Sequence, residues 1–308
     1  MTSDWTIHDR FEPNLIRPDE MAVFAGGSSE DRGRISLWDD VQNHRPTRCI
    51  SITTPPPTVP SDLLQATFTC GKIARTVHLR STSAIVEITK GRGLFLDISG
   101  LPHHVWAPLL RAGISSGVSV RAMYVEPERY RHHSSPSSNS MFDLSTGNLG
   151  LSPLPGFASI SSNHDPRQQV FVPMLGFEGT RALYLSQQLD PSPPHTIPIV
   201  GVPGFRPEYP TTTIACNLDF LDEFDAYSHI RMAPANDMFT IVKILDTLRK
   251  EFPSFRLLVA PVGTKPHALG AVVYAIREFS HVELMYDNPI RRPQRTFGVG
   301  KVHIYTIS

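Results

Sequence analysis

The chain has 308 residues, 40% apolar and 19% charged, enough to build a core and consistent with one large domain or two ordinary ones. Its 29 basic and 29 acidic residues cancel, which argues against broad electrostatic binding to duplex DNA while leaving room for a local basic pocket. Three scattered cysteines (Cys49, Cys70, Cys216) are too few for a disulfide framework or a zinc site, and no apolar run approaches the roughly 18 residues that span a bilayer. With a polar start, MTSDWTIHDRFEPN, that reads as a soluble cytoplasmic protein with no membrane partner.

Short apolar runs alternate with amphipathic segments along the chain, the pattern of a parallel α/β sheet. In the first half, 21–27 reads as a strand, 32–42 as a helix and 48–53 as the next strand. Segment 65–90 alternates enough to suggest an inserted hairpin, with strands near Thr67–Gly71 and Ala84–Thr89. Then come the strand 93–99, the helix 103–117 and the strand 119–127. The serine-rich stretch 131–150 lacks apolar periodicity and reads as a linker or mobile loop, with His132 and His133 simply solvated.

The second half offers similar elements in a similar order: strand 169–176, helix 180–189, strand 196–202, helix 238–252, strand 255–263, helix 267–279 and strand 281–289. Pro102 and His103 stand 164 positions before Pro266 and His267, and Tyr124-Val-Glu-Pro127 stands 162 before Tyr286-Asp-Asn-Pro289. Two anchors at nearly one offset point to an internal duplication. The fold class expected is therefore α/β, with two Rossmann-like parallel-sheet units. The first covers 1–130, with 131–150 as linker, and the second, 151–308, carries the candidate ligand site.

In open parallel sheets, ligands sit outside the carboxyl ends of the strands. Three stretches fall at such ends. In LGFEGTRA (175–182), Gly176 and Gly179 permit tight turning, Thr180 is placed to cap a helix, and Glu178 and Arg181 flank the opening. In VGVPGFRPEYP (200–210), a rigid loop presents Arg206 to a phosphate or carboxylate, or merely closes over the sheet. Asn236, in the Ala-Asn-Asp of 235–237, either belongs to a helix cap or donates to a base or ribose. The third stretch is Gly263-Thr264-Lys265-Pro266-His267: a strand end, a hydroxyl, an ammonium, a proline suited to a first turn and a histidine. A helix dipole, free amides and a lysine together favour an anion such as phosphate.

Nucleophilic catalysis has little support, since no GxSxG elbow, HExxH or Cys–His arrangement occurs. Asp97 and His103 offer two metal-type side chains at one strand end, but no metal site and no cofactor are expected.

The strand–loop–helix carrying Gly263-Thr264-Lys265 resembles the ligand-binding motif of CARF domains, and the tandem arrangement resembles the related SAVED sensors of prokaryotic antiviral defence. The likeness covers the element order over roughly 160–290 and these few residues. It implies a cyclic oligonucleotide as ligand, Thr264 and Lys265 on its phosphates and the GFEGTR loop as the opposite wall. The first half reads Gly100-Leu101-Pro102 at the matching place and has no lysine there, which departs from a symmetric two-site arrangement. With no separate effector segment legible, such a sensor acts through a protein partner or self-association. Two other readings stand beside it: an enzyme on a nucleotide or nucleic acid, with Glu178, Asp97 or His267 as acid or base, and a structural subunit of a defence complex.

Overall fold

The computed structural model describes residues 4–33, 37–45, 47–137, 140–158 and 168–307. It is a mixed α/β protein with eight α-helices among those residues. It divides into two compact units, Met1–Arg131 with Arg292–Ser308, and His132–Arg291.

The first unit is built on an eight-stranded sheet in the order Asp4–His8, Val302–Ile307, Val120–Val125, Gly93–Asp97, Glu20–Ala25, Cys49–Thr53, Gln65–Cys70, Ile73–His78. Its middle four strands are mutually parallel. Their sequences explain their place: Met21 to Phe24 and Leu94 to Leu96 are continuous buried apolar runs, as strands covered on both faces require. In chain order the four lie 4-3-1-2 across the sheet. Helices Leu37–His44, Thr82–Thr89 and His103–Ser115 supply the connections, and positions 34–36 of the expected first helix lie outside the described residues.

Two expectations are corrected here. The hairpin is Gln65–Cys70 against Ile73–His78, turning at Gly71 (φ +59°) and Lys72. The β-branched stretch 84–89, expected as its second strand, lies in helix Thr82–Thr89. Ser81 accepts from the Ala84 N–H at its start, and Lys90 and Gly91, at φ +55° and +60°, end it. Local capping outweighs strand propensity there. The last strand, Val302–Ile307, pairs antiparallel with Val120–Val125, so the chain from Arg292 onward returns to the first unit instead of completing the second.

In the second unit the strands Gln169–Pro173, Arg256–Ala260 and Val282–Tyr286 are parallel, with the two-residue Ser152–Pro153 antiparallel at the outer edge. Ile199–Gly201 and Arg231–Ala233 run parallel to one another, and bridges Phe171–Thr196 and Met174–Ile199 join them to Gln169–Pro173. In chain order the five parallel strands lie 3-2-1-4-5. The connections are helices Gly179–Leu189, Tyr209–Cys216, Leu218–Glu223, Met238–Glu251 and Lys265–Arg277. The proline-rich stretch 200–210 thus runs into a helix that takes Pro210 in its first turn.

Residues 131–150 are not a loose linker. His132–Ser137, Ser140–Phe142 and Ser145–Asn148 are short strands, the last paired with Pro289–Arg291, and positions 138–139 lie outside the described residues. Serine-rich sequence carries no apolar period, but one aromatic anchors this one: Phe142 stacks on Phe177 at 4.6 Å between ring centroids.

Candidate functional site

The expected site residues all lie in the second unit. There the strand order reverses between Gln169–Pro173 and Arg256–Ala260. The loops leaving these two strands run backbone against backbone. A Cβ on Gly263 would stand 2.6 Å from the Leu175 carbonyl oxygen, and one on Gly176 would stand 3.0 Å from that of Val262. Both glycines are therefore demanded by the contact between the loops. Gly179 is demanded differently, because a Cβ there would meet the Cys216 carbonyl at the end of the neighbouring helix.

The charged pair of the GFEGTR loop is turned inward. Arg181 is buried and grips Asp287 with two bonds, Nε to Oδ2 at 2.7 Å and Nη2 to Oδ1 at 2.6 Å. Its Nη1 donates to the Val262 carbonyl at 3.2 Å, and its guanidinium lies over the Tyr286 ring at 5.4 Å. Burial works against the charge, but Asp287, aided by Tyr286 and Glu178, outweighs burial and holds Arg181 well above its ordinary pKa. Glu178 in turn accepts from the Ser145 hydroxyl, from Arg181 at 3.3 Å and from Arg291 at 2.9 Å. These two residues, expected to flank an opening, bond the surrounding loops to one another. Thr180 does not cap its helix: the cap position is Glu178, with no side-chain cap bond, and Thr180 is exposed in the first turn.

In the stretch 263–267, the Thr264 hydroxyl expected to face a ligand is engaged by the protein itself. Thr264 caps helix Lys265–Arg277, accepting from the His267 N–H at 3.3 Å, and donates its own hydroxyl to the Ala235 carbonyl at 2.8 Å. Lys265 is half-buried at the first helical position, and no acidic residue shares that turn. His267 is fully buried, with Nε2 2.9 Å from the Pro234 carbonyl and Nδ1 without a partner. Burial pulls its pKa down to about 4, so the ring is neutral near pH 7 and donates through Nε2. Thr264 and His267 together tie the 234–235 loop to this helix. Half-buried Asn236 adjoins Asp237, and it is Asp237 that caps helix Met238–Glu251, accepting from the N–H groups of Phe239 and Thr240 at 2.8 and 3.1 Å. Arg206 is exposed on the loop after Ile199–Gly201.

The structure thus brings Gly176, Glu178, Arg181, Gly263, Thr264 and His267 into one bonded frame, with Lys265 in the first turn of the helix that the frame fixes. Reading the sequence for ligands missed Ser145, Asp287 and Arg291. Asp287 had a signal, since it sits in the Tyr-Asp-Asn-Pro that marked the repeat. The partnership of Ser145 and Arg291 with Glu178 had none, because residues 33 and 113 positions away leave no local pattern.

The first unit holds a similar charge cluster. After Glu20–Ala25, Arg32 is bonded to Glu30 at 2.9 Å and lies over the Tyr124 ring at 5.8 Å, and Arg295 bonds Glu30 at 2.5 Å. Asp97 is fully buried and accepts from the Ser99 N–H at 2.9 Å, while the neighbouring helix start buries His103 and His104. Burial pulls His104 down to about 4. No group of three His, Cys, Asp or Glu side chains suited to a metal occurs among the described residues. None of the three cysteines is in a disulfide, and burial pushes the Cys49 thiol up to about 11. Compared with known proteins, the chain matches no family model, no curated protein and no solved structure.

Proposed function

We propose that the second unit binds a nucleotide-like anion at the carboxyl ends of its strands, with Lys265 and the first amides of helix Lys265–Arg277 on the phosphate. One observation carries this reading: the strand order reverses at the two loops that fix the helix start bearing Lys265. That is where doubly wound sheets seat their ligands. The frame around the site supports preorganisation, since Arg181, Thr264 and His267 each bond a neighbouring loop's carbonyl and hold the helix N-terminus still.

The order 3-2-1-4-5 is that of a Rossmann-like unit, and the first unit keeps 2-1-3-4 when read from its other edge. An Arg over the Tyr at the end of the last parallel strand, bonded to a Glu that a second Arg also holds, occurs in both units. These features support a duplicated architecture of the kind seen in tandem cyclic-oligonucleotide sensors, acting through a partner or self-association. The enzyme reading has weaker support. Glu178 is engaged by two arginines, and His267 lies fully buried against a backbone carbonyl.

A thermal-shift screen against mononucleotides, cyclic di- and trinucleotides and short RNA tests the proposal. A ligand at about a hundred times its Kd adds roughly 2.7 kcal/mol to the wild type, and Lys265→Ala abolishes the gain. A gain that survives Lys265→Ala removes the lysine from the site, and a screen in which no ligand gives a gain removes the proposal.

A further inference from the structure

The first unit carries a second candidate site that has no part in the reading above. Its hairpin forms the outer edge of the eight-stranded sheet, and helix Thr82–Thr89 follows directly in the chain. Between one face of the hairpin and the end of this helix is a cavity of about 400 Å³, at the small end of ligand pockets. The hairpin register explains the shape. Phe68 pairs with Arg75 and Cys70 with Ile73, so these four side chains share one face, with Glu87 and Ile88 of the helix across from them.

The cavity has two chemically different parts. Phe68, Cys70, Ile73 and Ile88 make an apolar body. Ile73 is 67% exposed and, with the other apolar side chains of the cavity, leaves an apolar wall open to water. Around it stand Lys72, Arg75, Lys90 and a single acid, Glu87. Arg75 pairs with Glu87 at 2.8 Å, which leaves the two lysines as a net positive charge beside the apolar body.

We propose that this cavity binds a linear aliphatic carboxylate of medium chain length, with the chain between Cys70, Ile73 and Ile88 and the headgroup at Lys72 and Lys90. The charge balance selects an anion and the apolar body selects a chain. An acidic peptide adding a strand beside Ile73–His78 fits less well, because it would pair with the open backbone edge and leave the space beneath the helix unfilled.

Isothermal titration of the full chain with hexanoate, octanoate and decanoate, below their micelle concentrations, tests the proposal. The expected result is one site whose affinity rises roughly threefold to fourfold per added methylene until the cavity fills. Decanol and decyltrimethylammonium bind at least tenfold more weakly than decanoate. Ile73→Glu alters an exposed side chain, leaves the fold intact and abolishes binding, while joint Lys72→Ala and Lys90→Ala removes the preference of carboxylate over alcohol. Decanoate also slows alkylation of half-buried Cys70. The proposal is overturned if decanoate does not bind at millimolar concentration, if chain length has no effect, or if decanol binds equally well. It is also overturned if Cys70 alkylation is unchanged at saturation, or if an acidic peptide binds and decanoate does not displace it.

Discussion

The two units solve the same mechanical problem alike and then diverge one loop later. In each, an arginine following the first parallel strand lies over a tyrosine at the end of the last, and a glutamate gathers that arginine with a second one. The next crossover differs. The second unit has Gly263-Thr264-Lys265, with a side-chain cap and a cation, while the first has Gly100-Leu101-Pro102, where Pro102 caps helix His103–Ser115 without any side-chain bond. What the units share is frame, and a capping hydroxyl and a lysine stand where they differ. Arg181 illustrates the distinction, because read as a sequence it is a cation beside a glycine-rich turn.

The largest expected effect tests the shared frame. Arg181→Ala leaves Asp287 buried without its partner and costs about 3–5 kcal/mol in urea unfolding. Arg32→Ala leaves Glu30 with Arg295 and costs less. Equal costs would mean that the two clusters are closer equivalents than their partner sets suggest.

Next is pH. His104 and His267, one in each unit, are held neutral by burial with pKa values of about 4 against the ordinary 6.5. The unfolded chain takes up these protons first, so stability is full above about pH 6.5 and is lost as pH falls toward 4. The loss is on the order of 3 kcal/mol for each ring. His267→Gln removes only the second unit's share, as denaturant titration at stepped pH reads out.

Smaller again is the glycine comparison. A Cβ at Gly263 meets backbone oxygens at 2.6 and 2.9 Å, whereas one at Gly100 meets the Ala25 Cβ at 3.1 Å and Asp97 Oδ2 at 3.3 Å. Gly263→Ala therefore costs about 1–3 kcal/mol and Gly100→Ala less, and unfolding midpoints give the ranking. Lys265→Ala is the smallest in stability, within about 0.5 kcal/mol, since the side chain is half-buried at a helix start whose dipole already disfavours it.

Strands with continuous apolar runs were legible in the sequence, as was a helix over 267–279, because period is a local signal, whereas Thr264 read as a hydroxyl for a ligand and is the cap that starts this helix at Lys265. The helix Thr82–Thr89 was not, since its β-branched residues imitate a strand and only Ser81 and the Lys90-Gly91 turn reveal it. Strand Arg231–Ala233 is three residues long, too short to show a period. The return of Val302–Ile307 to the first unit is set by pairing with a strand nearly two hundred residues earlier, and no local pattern carries that. Around the candidate site, the glycine-rich turns were legible but the direction of their charged side chains was not. Whether Arg181 faces solvent or Asp287 depends on a partner 106 positions away.

Hydrogen exchange of the whole chain, with and without the cyclic oligonucleotides of the screen, tests the anion site most directly. The account predicts slowed exchange at the amides of 176–181 and 263–267, with 99–104 of the first unit unchanged. Protection at 99–104, or none at 263–267 under saturating ligand, would contradict it.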